Sequence, residues 1–302
     1  MSLFEPFVPT ASESIDELLV VIVLYKTALP ESRSYESIRR GFRPYVGTGR
    51  RIDLAVINNG PEPVDGRADE AVFRSHYVEQ LDNPGVSKAY NVAAALAARL
   101  GKRWLLLLDQ DTSLPVDFWS HYQRALDQFP DFPLYAPRLR TGSVLASPCG
   151  YRYYRGYVLP DLVEGPTPMR GRNVLNSGLL VGVEAFQRVG GYDELVPLYF
   201  SDFVFFDRLK GAYTTFVVVD LDLVHDLSSS DYSNQHTALH RFTLYCQGAH
   251  AAAKQEWTRS VLYFLTVGAR SLLMSKRFKS WAFIYTFWDT WLNKQALTRN
   301  LF

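Results

Sequence analysis

Apolar runs and helical patterns alternate along the first half of the chain. Three runs are almost wholly apolar: residues 18–25, 52–57 and 104–108. Such runs are typical of strands that are covered on both faces. Three segments with helical character follow them in turn: residues 32–42, 86–100 and 115–129. The alternation predicts an α/β, Rossmann-like fold with a mostly parallel sheet and helices on both of its faces.

The pattern is weaker in the second half. Residues 138–172 are rich in glycine, proline, tyrosine and arginine, which favours hairpins and a loop. Beyond them we predict strands at 174–181, 216–219 and 223–224, helices at 184–189 and 199–210, and helical structure from Thr237 to the end. We divide the chain into an α/β domain, 1–236, with halves at about 15–112 and 113–236, and a C-terminal helical region, 237–302.

Ligand sites in sheets of this type lie beyond the carboxyl ends of the strands. Tyr25, Asn58 and Asp109 stand at three such ends. Asp109 is followed at once by Gln110 and Asp111. Because alternate side chains of extended backbone face the same way, the two carboxylates are expected on one side, where they suit Mg²⁺ or Mn²⁺.

An alternative interpretation of the same stretch needs no metal. Asp111, Thr112 or Ser113 can serve as the N-cap of the helix predicted to begin near Pro115. An Asp-x-Asp sequence is short and arises often by chance. Both interpretations remain open on the pattern alone.

Composition narrows the class of protein. The chain has 302 residues, 47% hydrophobic and 21% charged, which is typical of a globular protein. Its two cysteines form no disulfide framework, so we expect a cytoplasmic protein. Residues 1–17 do not resemble a secretory signal, and we see no apolar stretch long enough to span a bilayer, so we expect a protein that is not integral to a membrane.

Charge and aromatic residues are concentrated at the C-terminal end. Residues 254–302 contain eight Lys or Arg and two acidic residues, whereas residues 1–253 contain 24 basic and 29 acidic residues. Four of the six tryptophans lie in residues 257–302. Tryptophan beside basic residues is typical of segments that lie in the headgroup layer of a membrane. Packing on the α/β domain or on a second subunit, as a homo-oligomer, is the alternative.

A series of short motifs runs in order along about three-quarters of the chain. They are VVIVLYK at 20–26, VINNG at 56–60, NPGVSKAYNVA at 83–93, LLLLDQDT at 105–112, LNSGLLV at 175–181, GGYDE at 190–194, SDFVFFDRLK at 201–210, and His225. In this order and spacing the sequence resembles the family 2 glycosyltransferases with the GT-A fold. Within that family it is most similar to bacterial rhamnosyltransferases.

The resemblance implies a site for a nucleotide-sugar donor and a divalent cation. The implied donor-binding residues are Tyr25, Asn58, Lys88, Asn91, Asp109, Gln110 and Asp111. Asn58 stands where many relatives carry an aspartate that binds the base. The implied cation is Mn²⁺ or Mg²⁺, with Asp111 and His225 as its ligands.

The resemblance also implies a catalytic base. Relatives carry a Glu-Asp pair shortly after the GGxDE segment. The corresponding residues here are Ser201 and Asp202, so the Asp is kept and the Glu is replaced. We assign Asp202 as the base, and we expect its pKa to be lower than in those relatives because one acidic neighbour is missing. Asp193 is the second candidate. Further candidates for binding the acceptor or the leaving group are Ser177, Arg170, Arg172 and Arg208, although an ion pair inside the fold is the stronger expectation for Arg208.

The implied activity is an inverting transfer of a sugar, with L-rhamnose from dTDP-L-rhamnose as the first choice of donor. A UDP-hexose or UDP-galactofuranose is the alternative donor. The expected acceptor is a saccharide or lipid-linked saccharide of bacterial surface polysaccharide synthesis, reached by peripheral contact with the cytoplasmic face of the membrane. Other classes are a nucleotidyltransferase, although residues 24–30 lack its glycine-rich loop, and a non-catalytic saccharide-binding protein. Nucleic acid is disfavoured because the predicted crevice is acidic.

Overall fold

A computed structural model describes residues 15–225, 234–254 and 257–292, with His225 described for its backbone only. The strands are β1 (Leu18–Leu24), β2 (Ile52–Asn58), β3 (Phe73–Glu79), β4 (Trp104–Asp109), β5 (Thr112–Ser113), β6 (Leu134–Thr141), β7 (Val144–Ser147), β8 (Cys149–Arg152), β9 (Arg155–Tyr157), β10 (Gly165–Pro168), β11 (Arg172–Asn173), β12 (Leu179–Gly182) and β13 (Thr215–His225). The α-helices are α1 (Arg33–Gly41), α2 (Val86–Arg99), α3 (Phe118–Gln128), α4 (Val183–Arg188), α5 (Ser201–Ala212), α6 (Gln235–Ala253), α7 (Trp257–Phe278) and α8 (Ala282–Leu292).

The main sheet has the strand order β10-β13-β6-β12-β4-β1-β2-β3, with β5 paired to β13 and β7 paired to β6. The four strands β4, β1, β2 and β3 are parallel. Their register places Leu24 beside Asn58 and Val23 beside Asp109. The carboxyl ends of β1, β2 and β4 therefore meet at one edge, as the sequence predicts.

Two hydrophobic layers enclose this sheet. Every residue of β1 and β2 is buried. Alternate residues of β1, such as Val20 and Ile22, pack with α1 and α3, whereas Leu19 and Val21 pack with α2, α4 and α5. Because side chains of a strand alternate between its faces, an uninterrupted apolar run is what a sheet covered on both sides requires.

The structure differs from the predicted elements in several places, among them strands β5 and β6 of the main sheet, which the sequence interpretation does not include. Strand β3 is absent from the sequence interpretation, because its sequence FRSHYVE buries only Phe73 fully at the edge of the sheet. The predicted strand 174–181 forms only from Leu179 onward, since Leu179 N–H instead bonds to the Asn176 carbonyl in a turn. The two short strands at 216–219 and 223–224 are one strand, β13, with an irregular register between Val218 and Asp222.

The three C-terminal helices pack on one another and on the end of the α/β layer. Each pair among α6, α7 and α8 is in contact. Their shared core contains Phe242, Tyr263 and Phe283, and Val204 of α5 joins it. Among the described residues, none of the helices combines the length and the apolar character that crossing a membrane requires.

Candidate active site at the strand ends

The loop that follows β4 is held by serines at the start of α1. Ser34 Oγ donates to the Asp109 and Thr112 carbonyls and accepts from Thr112 N–H, at 3.0 Å. Ser32 Oγ donates to the Gln110 carbonyl over 2.8 Å. Beyond the end of β4 the backbone no longer makes strand hydrogen bonds, and these serine hydrogen bonds take their place. They hold the backbone of residues 109–112 in position.

The helix-cap alternative for this loop is wrong. Helix α3 begins at Phe118, and its N-cap position is Asp117, whose side chain makes no capping hydrogen bond. Thr112 and Ser113 instead form β5, which pairs with β13. Asp111 therefore stands too far along the chain from α3 to cap it.

Three side chains orient the carboxylate of Asp109. Oδ1 accepts from Tyr90 Oη at 3.0 Å and from Asn176 Nδ2 at 3.4 Å, and Oδ2 accepts from Ser177 Oγ. Asn176 Nδ2 also donates to Tyr90 Oη over 2.9 Å. The structure thus brings the predicted residues Asp109 and Ser177 together, and adds Tyr90 and Asn176, which the sequence interpretation missed.

Tyr25 and Gln110 join the ends of β1 and β4. Tyr25 N–H donates to Gln110 Oε1 over 2.7 Å, so the glutamine side chain braces the loop. The Tyr25 side chain is 43% exposed, with Lys26 Nζ 5.2 Å from its ring centroid. A ligand in the crevice can reach the face of this ring.

Asn58 is bound within its own turn. It is fully buried, its Oδ1 accepts from Gly60 N–H at 3.0 Å, and its Nδ2 donates to the Glu62 carbonyl over 2.8 Å. Both polar atoms of the amide therefore already have partners. Contact of Asn58 with the base of a nucleotide remains a prediction.

Asn91 connects α2 to the glycine-rich turn at 190–191. Its Oδ1 accepts from Tyr192 N–H at 2.9 Å, and its Nδ2 donates to the Tyr192 carbonyl and to Glu194 Oε1. A Cβ at Gly191 would lie 2.5 Å from Asn91 Oδ1, and Gly191 has a positive φ of 66°. The asparagine therefore fixes this turn, while Lys88, three residues earlier, is half-buried on the same helix. Nucleotide contact by either residue stays a prediction.

Asp202 is the second residue of α5, in its first turn. Phe200, the residue before the helix, has a φ of 71°. Asp202 Oδ1 is buried and has no hydrogen-bond partner among the described residues. Burial raises the pKa of Asp202 to about 8, the negative charge of Asp109 adds to the rise, and a hydrogen bond from Ser201 opposes it. A carboxylate with a pKa near neutral pH is well suited to accept a proton.

Buried phenols surround the two aspartates. Burial, followed by the charges of Asp109 and Asp202, holds the pKa of Tyr90 and the pKa of Tyr192 far above the ordinary value. Both rings therefore keep their hydroxyl protons at any physiological pH. Tyr192 Oη is buried without a partner among the described residues, and its ring stacks on Phe205 at 4.1 Å.

Asn173, in β11, is a third residue with buried polar atoms that lack partners among the described residues. It is fully buried, and neither atom of its amide has a hydrogen-bond partner in the described part of the chain. It pairs with Cys149, and burial, with a smaller contribution from the charge of Asp202, raises the pKa of that thiol to about 11. Polar atoms buried without partners are costly, so their grouping near Asp202 indicates a place where a polar ligand binds.

The second candidate base, Asp193, is committed to other contacts. Its Oδ2 lies 2.9 Å from Arg208 Nη2, and its Oδ1 accepts from Leu195 N–H at 3.1 Å. The expected ion pair of Arg208 inside the fold is confirmed. Of the other cations, Arg172 Nη1 donates to the Pro168 carbonyl and Arg170 is exposed.

The pairing of β5 with β13 brings the backbone positions of the two predicted metal ligands close together, and their binding of a metal stays a prediction. His225 lies opposite Thr112 in that register, one residue from Asp111. The side chain of His225 lies outside the described residues, and among the described side chains no three His, Cys, Asp or Glu converge on a metal position. A half-buried carboxylate beside a histidine nevertheless fits Mn²⁺ or Mg²⁺ when the substrate's phosphate oxygens supply the remaining ligands.

Comparison with known proteins finds similarity at the level of structure. No protein-family model and no curated protein sequence matches the chain. Crystal structures do: S. aureus TarS 1–349 has a TM-score of 0.52 at 10% identity, over 89% of this chain and 80% of that one. The mannosyltransferase PcManGT from Pyrobaculum calidifontis, in complex with GDP-Man and Mn²⁺, has a TM-score of 0.51 at 12% identity, over 92% and 88%.

A third similar structure is GalNAc-T7 with UDP, GalNAc and Mn²⁺, with a TM-score of 0.51 at 12% identity over 91% of this chain and 57% of that one. The chain spans 39% of a longer TarS structure that it also matches. The protein therefore has the GT-A fold, as expected from its sequence, with three helices added at its C-terminal end.

Proposed function

We propose that this protein is an inverting, metal-dependent glycosyltransferase that takes a sugar from a nucleotide diphosphate. The observation that carries the proposal is the buried, unpartnered Oδ1 of Asp202 close to the oriented carboxylate of Asp109, at the strand ends of a GT-A fold. Two similar structures add support, since S. aureus TarS 1–349 was crystallised with UDP-GlcNAc and PcManGT with GDP-Man and Mn²⁺.

Asp202 is the base in this proposal. As an acceptor hydroxyl attacks the anomeric carbon, Asp202 takes its proton, and the bond from that carbon to the diphosphate breaks. The raised pKa suits this step, because the carboxylate gains the proton readily and the phenols around it do not compete for it.

Asp109 and its three partners would orient the donor, and Tyr25 would contact the base with its exposed ring. Asp111 and His225 would hold Mn²⁺ or Mg²⁺, which supplies charge neutralisation for the diphosphate. Asn58 and Asn91 would act through the loops that they fix, since their amides already have partners there.

The donor sugar is the finer part of the proposal. L-Rhamnose from dTDP-L-rhamnose is our first choice, supported by the resemblance of residues 109–112 to rhamnosyltransferases; a UDP-hexose or UDP-galactofuranose is the alternative. The proposed acceptor is a saccharide or lipid-linked saccharide of surface polysaccharide synthesis. A nucleotidyltransferase or a non-catalytic saccharide-binding protein remains the alternative of a different class.

A donor panel tests the proposal. Purified protein is mixed with dTDP-L-rhamnose and with several UDP-sugars, with Mn²⁺ or with EDTA, and both the melting temperature and the release of nucleoside diphosphate are measured. We expect one donor to raise the melting temperature in the presence of metal, since a ligand that binds the native state stabilises it. Release of pyrophosphate from a nucleoside triphosphate and a sugar phosphate would instead identify a nucleotidyltransferase. Binding without any turnover would favour a saccharide-binding protein.

A further inference from the structure

The outer surface of the last two described helices consists almost entirely of apolar and basic side chains. We use the name outer face for the exposed residues of 257–292, which are Trp257, Val261, Leu265, Ala269, Leu272, Leu273, Lys276, Arg277, Lys279, Trp281, Tyr285, Trp288, Asp289 and Leu292. No neutral polar side chain belongs to this set. A surface that normally faces water is not built in this way.

The apolar residues of α7 recur at helical spacing. Trp257, Val261 and Leu265 lie four residues apart and are 75%, 45% and 59% exposed. On the opposite side of the same helix, Tyr263 and Val267 are buried against α6 and α5. Helix α7 is therefore apolar on two sides, and only one of them is used by the fold.

Helix α8 repeats this arrangement. Trp281, Tyr285 and Leu292 point outward and are 73%, 73% and 71% exposed, whereas Phe283 and Phe287 are buried. Helices α7 and α8 pack against each other, so the two outward stripes belong to neighbouring helices. Large apolar side chains exposed along two neighbouring helices indicate a place of contact with another molecule or a membrane.

The charged residues of the outer face indicate the kind of partner that it binds. The exposed cations Lys276, Arg277 and Lys279 lie where α7 ends and α8 is about to begin, and Asp289 is the one exposed acid of the outer face. Residues 1–253 carry an excess of acidic residues, whereas residues 254–302 carry an excess of basic ones. The exposed cations thus lie on the same two helices as the exposed apolar side chains.

We propose that the outer face docks on an anionic lipid surface, with α7 and α8 lying in the plane of the headgroups. Tryptophan, tyrosine and leucine beside lysine and arginine is the composition of helices that bind there. A second copy fits less well, because a two-fold interface sets the same patch against itself, and this patch offers a single exposed acid, Asp289, for its three exposed cations. The docking extends the proposed function, since a lipid-linked acceptor would lie in that surface, but lipid binding needs neither a donor nor a metal.

Tryptophan fluorescence and vesicle flotation measure the docking directly. Trp257, Trp281 and Trp288 belong to the outer face, whereas Trp104 and Trp119 are buried in the α/β core at 4% and 2% exposure. We expect emission to shift to the blue when vesicles of phosphatidylcholine with phosphatidylglycerol are added, and brominated lipid to quench it. Phosphatidylcholine alone should have a much smaller effect, and binding should weaken as ionic strength rises.

Paired variants separate the apolar from the charged contribution. Lys276→Glu with Lys279→Glu should weaken binding to anionic vesicles by about tenfold or more, because each cation near such a surface adds favourable energy. The matched control is Arg43→Glu with Arg51→Glu, which reverses two exposed cations elsewhere.

Leu265→Ser with Trp281→Ser should weaken flotation to a similar degree. Its control is Val116→Ser with Val163→Ser, which changes exposed apolar residues outside the helices and should float as the unaltered protein does. Circular dichroism and melting temperatures establish that each variant is folded.

The same experiments can overturn the proposal. Absence of flotation with anionic vesicles, or equal binding to neutral and anionic vesicles at all salt concentrations, contradicts it. So does a dimer in sedimentation velocity that Leu265→Ser with Trp281→Ser converts to a monomer, because the outer face would then belong to a second copy. All of these measurements are made with EDTA and without donor, so a failure of the proposed transferase activity would leave them unaffected.

Discussion

The strand-end crevice and the outer face of the C-terminal helices depart from ordinary protein chemistry in opposite directions. The crevice buries polar atoms that lack partners, among them Asp202 Oδ1, Tyr192 Oη and the amide of Asn173. The outer face exposes large apolar side chains such as Trp281 and Leu265. Each arrangement costs free energy in the isolated protein.

The difference between the two regions indicates what each one binds. Buried polar atoms need a small ligand that can enter and supply hydrogen bonds. Exposed tryptophans and leucines need an extended apolar partner, and the nearby cations favour one with negative charge. We therefore propose that the crevice binds a polar substrate and that the outer face binds a membrane.

Replacing the base should separate catalysis from binding. Asp202→Asn is expected to lower kcat by about 10³-fold, since positioned acid–base catalysis contributes 10²–10⁴-fold, while donor affinity stays within a few-fold. Steady-state kinetics and calorimetry of nucleotide binding provide the measurement. The control is Asp127→Asn, an exposed acid of α3, which should leave both quantities unchanged. Normal turnover in Asp202→Asn would remove the residue from its assigned role.

An ion pair connects the C-terminal helices to α5, the helix that carries Asp202. Arg259 of α7 is 7% exposed, and its Nη2 donates to Asp207 Oδ2 of α5 over 2.7 Å. Lys210 Nζ lies 2.9 Å from the other oxygen of Asp207. Arg259→Met leaves Asp207 with Lys210 as its remaining cation but removes a charged hydrogen bond, so it should lower the free energy of unfolding by about 2 kcal/mol.

Urea denaturation measures that loss, and Arg259→Lys is the matched variant, expected to lose less because it keeps the charge. Since α5 carries Asp202 in its first turn, Arg259→Met should also lower kcat more than it raises KM. Unchanged stability in Arg259→Met would show that the C-terminal helices and the α/β domain are not coupled through this contact.

The pKa of Asp202 predicts how stability depends on pH. In the metal-free native state the pKa is about 8, whereas in the unfolded chain it is near the ordinary 3.8. Its contribution to stability is therefore complete below pH 4 and is lost as the pH rises through 8, because ionisation favours the unfolded state. Asp202→Asn removes this loss, so the variant should match the unaltered protein in stability near pH 4 and be more stable than it near pH 8.5.

Denaturation in EDTA across that pH range provides the measurement. A variant that is less stable than the unaltered protein at high pH would mean that the Asp202 carboxylate has a favourable partner in the native state. The site would then be a satisfied polar network rather than a place for a ligand.

Removing one hydrogen bond to the Asp109 carboxylate is expected to have the smallest effect on transfer. Tyr90→Phe removes one hydrogen bond to Asp109 and the acceptor of Asn176 Nδ2, and it should lower kcat/KM by about tenfold, equivalent to about 1.4 kcal/mol. Tyr135→Phe is the control, because that buried phenol donates to the Phe129 carbonyl at the other end of the sheet from the loop at 109–112. Equal activity in the two variants would show that the orientation of Asp109 has no consequence for transfer.

The central part of the fold could be predicted because its strands are covered on both faces. Strands β1, β2 and β4 are continuous apolar runs, and their position in the chain predicts which residues stand at their ends. Strand β3 was missed since it lies at the edge of the sheet and carries polar residues on its exposed side. The irregular register of β13 leaves no signal in the sequence at all.

Candidate residues of the site can be chosen from the sequence, but the contacts among them cannot. Asp109, Asp111 and Asp202 stand out as acids in distinctive positions. The partners of Asp109 come from α2 and from residues 176–177, and nothing in their local sequence shows that they meet. Tyr90 and Asn176 lie within the motifs that carry the resemblance, and this position is the signal from which their part in the site could be predicted.

Calorimetric titration of the protein with its nucleoside diphosphate, with Mn²⁺ and with EDTA, tests the central claim most directly. We expect dTDP or UDP to bind in the presence of Mn²⁺, and EDTA or Asp111→Asn to weaken binding by about tenfold or more. Equal affinity with and without the cation, or no binding of either nucleotide by the folded protein, would contradict it.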